Sequence, residues 1–256
     1  MGLEIIKDLV FRDNVRNVQK NLWILFLYVI TSLPVSIVAY VQIHLQIMKA
    51  SSSIGVRFAT SYSVFFIIMG IVLMGFIYLY FNFLKHVNEA LKTIGLEVKK
   101  MHRQFLAIGI LLVLVNILGG LFMLFNAYDL GTYIGRVADP LDIKSSIIRI
   151  PSLYTKHIFF GAYYSINVAL LFIFSIYTAI TLIILWKTIR MRLMQIIGCL
   201  IFADAILFII YMFIFTRSSL LIIMLAIIAI SIVLLGSIAF TLPRRLLELY
   251  RVYRRE

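Results

Sequence analysis

The chain has 256 residues, 63% of them hydrophobic, and a formal net charge of +13. Its mean hydropathy is +1.05. A soluble globular chain is about 45–50% apolar, so this composition excludes a water-soluble domain and makes lipid the solvent for much of the surface. A single cysteine, Cys199, excludes an intrachain disulfide.

In chain order, residues 1–21 mix Ile5, Ile6, Leu9, Val10 and Phe11 with Lys7, Asp8, Arg12 and Arg16. That pattern predicts a short cytoplasmic amphipathic helix lying in the inner interface. No short apolar core of a signal peptide precedes the first long apolar run, so the first span is expected to be an uncleaved anchor. Six apolar runs near 20 residues follow, at about 22–43, 63–84, 105–126, 159–186, 193–215 and 219–242. Pro34 is expected to bend the first. An Arg-rich cytoplasmic tail occupies 243–256. The fold class is therefore an all-α integral membrane protein, a six-transmembrane-helix bundle with cytoplasmic amphipathic helices.

Charge sets the orientation. Seventeen of the 24 lysines and arginines fall before span 1, after span 2, after span 4 and after span 6. The positive-inside rule puts these segments, and both termini, in the cytoplasm. Trp23 and Trp186 then sit at the inner interface, the level indoles favour. Topology alone thus accounts for most of the basic charge.

Two connections stand out. Between spans 2 and 3, Leu84, Val87, Leu91, Ile94, Val98, Met101 and Phe105 recur at spacings of 3 and 4, a heptad seam. It predicts either a cytoplasmic helix that docks a partner or a hairpin packing on its own bundle, with Gly95 as a bend. Between spans 3 and 4, a connection from about 128 to 158 is punctuated by Gly131, Gly135, Pro140 and Pro151 and is longer than packing needs.

Few polar residues interrupt the spans. Asp204, between Ala203 and Ala205, is the one charge. A carboxylate at that depth costs about 2.5–3.5 kcal/mol on insertion scales, so it should face the bundle interior or water. It either serves a proton or cation, or hydrogen-bonds a neighbouring helix through Asn116, Asn167 or Thr178. Asn116 and Asn167 are candidate intramembrane functional residues beside it; the alternative for both is interhelical packing. His44, His157, His86 and His102 lie at span ends in two pairs, the remote pattern of a membrane b-type cytochrome. Phosphate-binding loops, zinc-protease motifs and nucleophile elbows are absent from the sequence. No enzyme activity, cofactor or metal is expected.

The expected function is non-enzymatic and of the transport class: the channel or scaffold subunit of a multicomponent translocation machine in the plasma membrane. The alternatives are an autonomous small-solute or ion channel or carrier using Asp204, and a permease paired with a separate ATPase. The last suits the six-span layout, but such permeases carry their extended external segment between spans 5 and 6, and here it follows span 3. The six-span, motor-less layout with an Arg-rich tail is similar in architecture to the polytopic subunit of archaeal DNA-import systems, which are conjugation-like. That resemblance covers span layout only and transfers no residue roles. It implies DNA as cargo. The expected partners are the lipid bilayer and the proteins of a membrane complex, including a separate ATPase, with nucleic acid as candidate cargo and a homo-oligomer as an alternative assembly.

Overall fold

In the computed structural model the described residues are 2–48, 54–96, 101–129, 131–132, 158–213 and 218–253. They form six long helices: α1 (Gly2–Met48), α2 (Ile54–Thr93), α3 (Met101–Phe125), α4 (Ile158–Ile189), α5 (Arg192–Phe213) and α6 (Ser218–Tyr253). No strand occurs among the described residues. In lipid this is forced, because a helix satisfies its own backbone hydrogen bonds and an open strand cannot. Among the described residues, five stretches are long and apolar enough to cross a membrane: Ala59–Thr93, Arg103–Phe125, Ser165–Ile189, Arg192–Ile210 and Ile222–Tyr253. The expected first span lies within α1, but the side chains of residues 33–50, Pro34 among them, fall outside the description. Most of the long connection at 128–158 falls outside it too.

Each helix packs chiefly on its neighbours in the chain, and α1 packs on α6, so the six close into a ring. The outward faces are apolar and exposed, with Ile71, Met74 and Tyr78 on α2 and Leu111, Leu114 and Leu118 on α3. Such a surface suits lipid and not water. Between helices in lipid, close packing and hydrogen bonds replace the hydrophobic effect as the cohesive force. Glycines permit that approach. A Cβ on Gly120 of α3 would lie 2.9 Å from the backbone oxygen of Ser63 on α2, and one on Gly119 would run into the ring of Tyr163 on α4.

At the basic end of the bundle the helices run on past the apolar stretches. The segment expected as an amphipathic helix is continuous with the first apolar run: α1 runs unbroken from Gly2 to Met48. At about 1.5 Å per residue its 47 residues reach roughly 70 Å, more than twice a hydrocarbon core. Phe11, Val15, Val18, Leu22 and Leu25 are all buried. Their spacing of 4, 3, 4 and 3 makes one continuous seam, so the same face that enters the bundle extends beyond it. Phe11 stacks on Tyr250 of α6 at 4.3 Å, and Asn14 Oδ1 lies 3.2 Å from His86 Nδ1 on α2. Likewise α6 continues through a buried Pro243 to Tyr253, so the described part of the Arg-rich tail extends that helix.

The heptad seam is likewise divided between two helices. α2 ends at Thr93, and Gly95 adopts φ +78°. Gly95 N donates to Lys92 O at 3.1 Å and Leu96 N to Leu91 O at 3.0 Å. This pair of bonds is a Schellman cap, which needs a left-handed residue and so selects glycine. Leu84, Val87 and Leu91 are buried in the chain's own core, in one cluster with Phe11, Val15 and Leu246. Ile94 is half-buried, Val98 lies outside the described residues, and Met101 begins α3 with its side chain outside the description. Three of the six candidate docking residues, Leu84, Val87 and Leu91, are thus occupied by intramolecular packing.

Candidate functional site: an apolar cavity carrying Asp204

α4 and α5 are joined by a very short turn. Arg190 takes φ +56° and donates its N–H to Trp186 O at 2.7 Å, closing the end of α4. Arg245 of α6 donates from Nε to Ile189 O at 3.3 Å, placing a cation on the exposed carbonyls of the same terminus. These contacts bring the ends of α4, α5 and α6 to a common level. Thr178 is then about 17 Å along α4 from that end, and Asp204 about 18 Å along α5.

A cavity of about 200 Å³ lies inside the ring between α1, α2, α4, α5 and α6. Its walls are mostly aliphatic and aromatic, including Val29, Phe76, Tyr80, Ile201, Ile228 and Leu235. Four short polar side chains interrupt them: Ser175 and Thr178 from α4, Asp204 from α5 and Ser231 from α6. Two of the polar groups nearby are already committed. Thr178 Oγ1 donates to Phe174 O at 2.8 Å, and the Tyr80 hydroxyl lies 2.9 Å from Thr181 Oγ1. Asp204 Oδ1 and Ser231 Oγ are buried and make no hydrogen bond within the protein. An unsatisfied buried polar atom costs about 1–3 kcal/mol, more for a charged one, so two facing one cavity call for an explanation.

Asn116 and Asn167 are elsewhere. They sit on α3 and α4 and exchange bonds, Asn116 Nδ2 to Asn167 Oδ1 at 3.4 Å and Asn167 Nδ2 to Asn116 Oδ1 at 3.0 Å. Asn116 Nδ2 also donates to Leu112 O at 2.8 Å, and Asn167 Nδ2 to Tyr163 Oη at 3.2 Å. The two amides clamp α3 to α4, and neither reaches Asp204. Sequence reasoning named Asp204 but missed Ser231. A serine in an apolar helix is common, and the only available signal was that Ser231 lies on the face of α6 that also carries Ile227, Ile228 and Leu235.

Beyond the aromatic level of Trp23 lies a second concavity, a polar groove of about 560 Å³ between α1 and α6. It is lined by Asp8, Arg12, Arg16, Gln19, Tyr250 and Arg251 among others. Arg12 pairs with Asp8 at 3.1 Å, while Arg16 and Arg251 are exposed. Among the described residues no group of three or more histidine, cysteine, aspartate or glutamate side chains could hold a metal ion. His86 is half-buried beside Asn14 and Glu89; the side chains of His44, His102 and His157 lie outside the description.

The fold defines the class: this is an all-α, multi-pass membrane protein. No protein family, curated protein or solved structure matches the chain.

Proposed function

We propose that the chain is a six-span plasma-membrane protein of the transport class, with both termini in the cytoplasm and the Asp204 cavity as its working centre. One observation carries this reading. Asp204 and Ser231, each with a buried polar atom that has no partner within the protein, line one cavity between the long helices. An intramembrane carboxylate is costly, and one that is not used to bond a neighbouring helix has its cost offset by a ligand or an ion in transit. The segregation of basic residues supports the orientation.

The test is flux through the purified protein in sealed liposomes, with protons and small organic or inorganic cations as candidate solutes. Asp204→Asn keeps the shape and removes the charge. It is expected to lower flux at least tenfold while the protein still inserts and stays monodisperse. Undiminished flux in that variant overturns the assignment.

A second reading makes the chain the channel or scaffold subunit of a translocation machine, with a separate ATPase and DNA as cargo. The arginines of the α1–α6 groove favour it, since guanidinium groups suit a phosphate backbone. Purification in mild detergent separates the two readings. An ATPase that co-purifies in fixed proportion supports the machine, and a single species that transports alone sinks it.

A further inference from the structure

We infer that the cavity binds a small amphiphilic primary amine, an ammonium head on one apolar ring or short alkyl chain, with Asp204 and Ser231 holding the head. The inference rests on the reading of the cavity as the working centre and names the chemistry of what enters it.

Three observations select this class. The first is the donor set. The buried polar atoms without a partner at the cavity are Asp204 Oδ1 and Ser231 Oγ, and Ser175 adds a third oxygen-bearing side chain to the lining. A hard metal cation takes six or more oxygens, or a set of retained waters. Membrane sites for bare cations draw the extra oxygens from unwound helix backbone. Here α5 runs as continuous helix from Arg192 to Phe213 and α6 from Ser218 to Tyr253, so the carbonyls around Asp204 and Ser231 are spent on helix hydrogen bonds. An ammonium group needs far less. It offers three donors and no acceptor, which two oxygen-bearing side chains can largely meet.

The second observation is the lining. Apart from Ser175, Thr178, Asp204, Ser231 and the Tyr80 hydroxyl, the lining side chains are hydrocarbon, with the rings of Phe76, Tyr80 and Phe83 among them. Hydrated ions gain nothing from such walls. A hydrocarbon body gains about 25 cal/mol for each Å² removed from water, and a cation beside an aromatic face gains roughly 0.5–2 kcal/mol more.

Size and charge together give the third. The cavity, at about 200 Å³, is smaller than the range of about 300–1,000 Å³ that holds drug-sized ligands. It is somewhat larger than the roughly 150 Å³ apolar cavity that accepts benzene. One ring with a two-carbon amine arm fits between these limits. A monovalent ammonium also brings the site to zero net charge, because ammonium with carboxylate and amine with carboxylic acid are both neutral pairs. A divalent cation would leave a net positive charge in the low-dielectric interior.

The test uses the full chain in lipid nanodiscs. Phenethylamine is the probe, and 2-phenylethanol and ethylbenzene are uncharged controls of similar shape. Binding is read by competition and by the shift in thermal unfolding. Wild type is expected to bind the amine at least tenfold more tightly than either control. Asp204→Asn should remove that preference, and Ser231→Ala should reduce it two- to fivefold. Ile228→Phe, which fills the cavity without touching the carboxylate, should weaken all three ligands together. Equal amine binding by wild type and Asp204→Asn overturns the inference, as does amine binding that survives Ile228→Phe unchanged. If the amine fails to bind while Asp204-dependent flux persists, the ligand class is wrong and the working centre stands. If the variant also leaves flux unchanged, both fall.

Discussion

Asn116 of α3 and Asn167 of α4 form a reciprocal amide pair, with N–O distances of 3.4 and 3.0 Å. Both side chains are buried, and each has a further partner, on Leu112 and Tyr163 respectively. Removing one member strands the other, so Asn116→Leu and Asn167→Leu should each destabilise the protein by about 1–2 kcal/mol. The double variant should cost less than the sum, because neither amide is left facing a missing partner, though the Tyr163 hydroxyl loses a bond. A double-mutant cycle by reversible unfolding in mixed micelles gives the coupling. Strict additivity would mean the amides do not act as a pair.

Gly120 and Gly236 make contrasting predictions. A methyl on Gly120 meets the backbone oxygen of Ser63 at 2.9 Å, and backbone cannot step aside. A methyl on Gly236 meets the ring edge of Phe26 at 2.9 Å, and that side chain can rotate. Gly120→Ala should therefore cost about 1–3 kcal/mol by prying α3 from α2, and Gly236→Ala less than 1 kcal/mol. Thermal unfolding of the two variants side by side decides it. A larger loss at Gly236 would contradict the packing described.

The first turns of α1 should behave as a packed helix. Phe11 is fully buried and stacks on Tyr250, so Phe11→Ala should cost about 3–5 kcal/mol, or unfold this end alone. Hydrogen exchange over residues 6–20 should be slow in wild type and accelerate in Tyr250→Ala. An interfacial helix would instead follow the lipid, with exchange indifferent to Tyr250 and sensitive to anionic lipid.

At the two left-handed positions the expected signs differ. Gly95 caps α2 at φ +78°, so Gly95→Ala should lose about 1 kcal/mol. Arg190 pays that penalty already at φ +56°, so Arg190→Gly should be neutral or slightly stabilising. Chemical denaturation of both variants measures the signs, and a marked loss on Arg190→Gly would mean that its side chain holds the α4–α5 turn.

Several of these features were legible as patterns before any geometry. The long apolar runs, the isolated carboxylate at Asp204 and the glycine at 95 all stand out against their neighbours. Legibility failed where a pattern had two physical solutions. An amphipathic stretch at 1–21 satisfies a lipid interface or a helical partner equally well, and the contact its Phe11 makes is with Tyr250, about 240 residues away in the chain. The heptad from Leu84 to Met101 fits one docking helix or a capped hairpin, and spacing alone does not reveal that α2 ends inside it, at the left-handed Gly95. Asn116 and Asn167 could be read as companions of Asp204 because all three are polar in apolar runs, yet ring order places the amides against each other.

By itself the sequence determined the solvent of this protein and the axis of each helix. Both follow from composition and local hydrogen bonding, which need no long-range information. Only the tertiary structure decided which polar groups share an interior. Closing α1 onto α6 turns one face of every helix inward, and that rotation left Asp204 and Ser231 facing the same 200 Å³ cavity without partners while it satisfied the two asparagines. Partnership between side chains far apart in sequence is a property of packing, and spacing along one helix does not encode it.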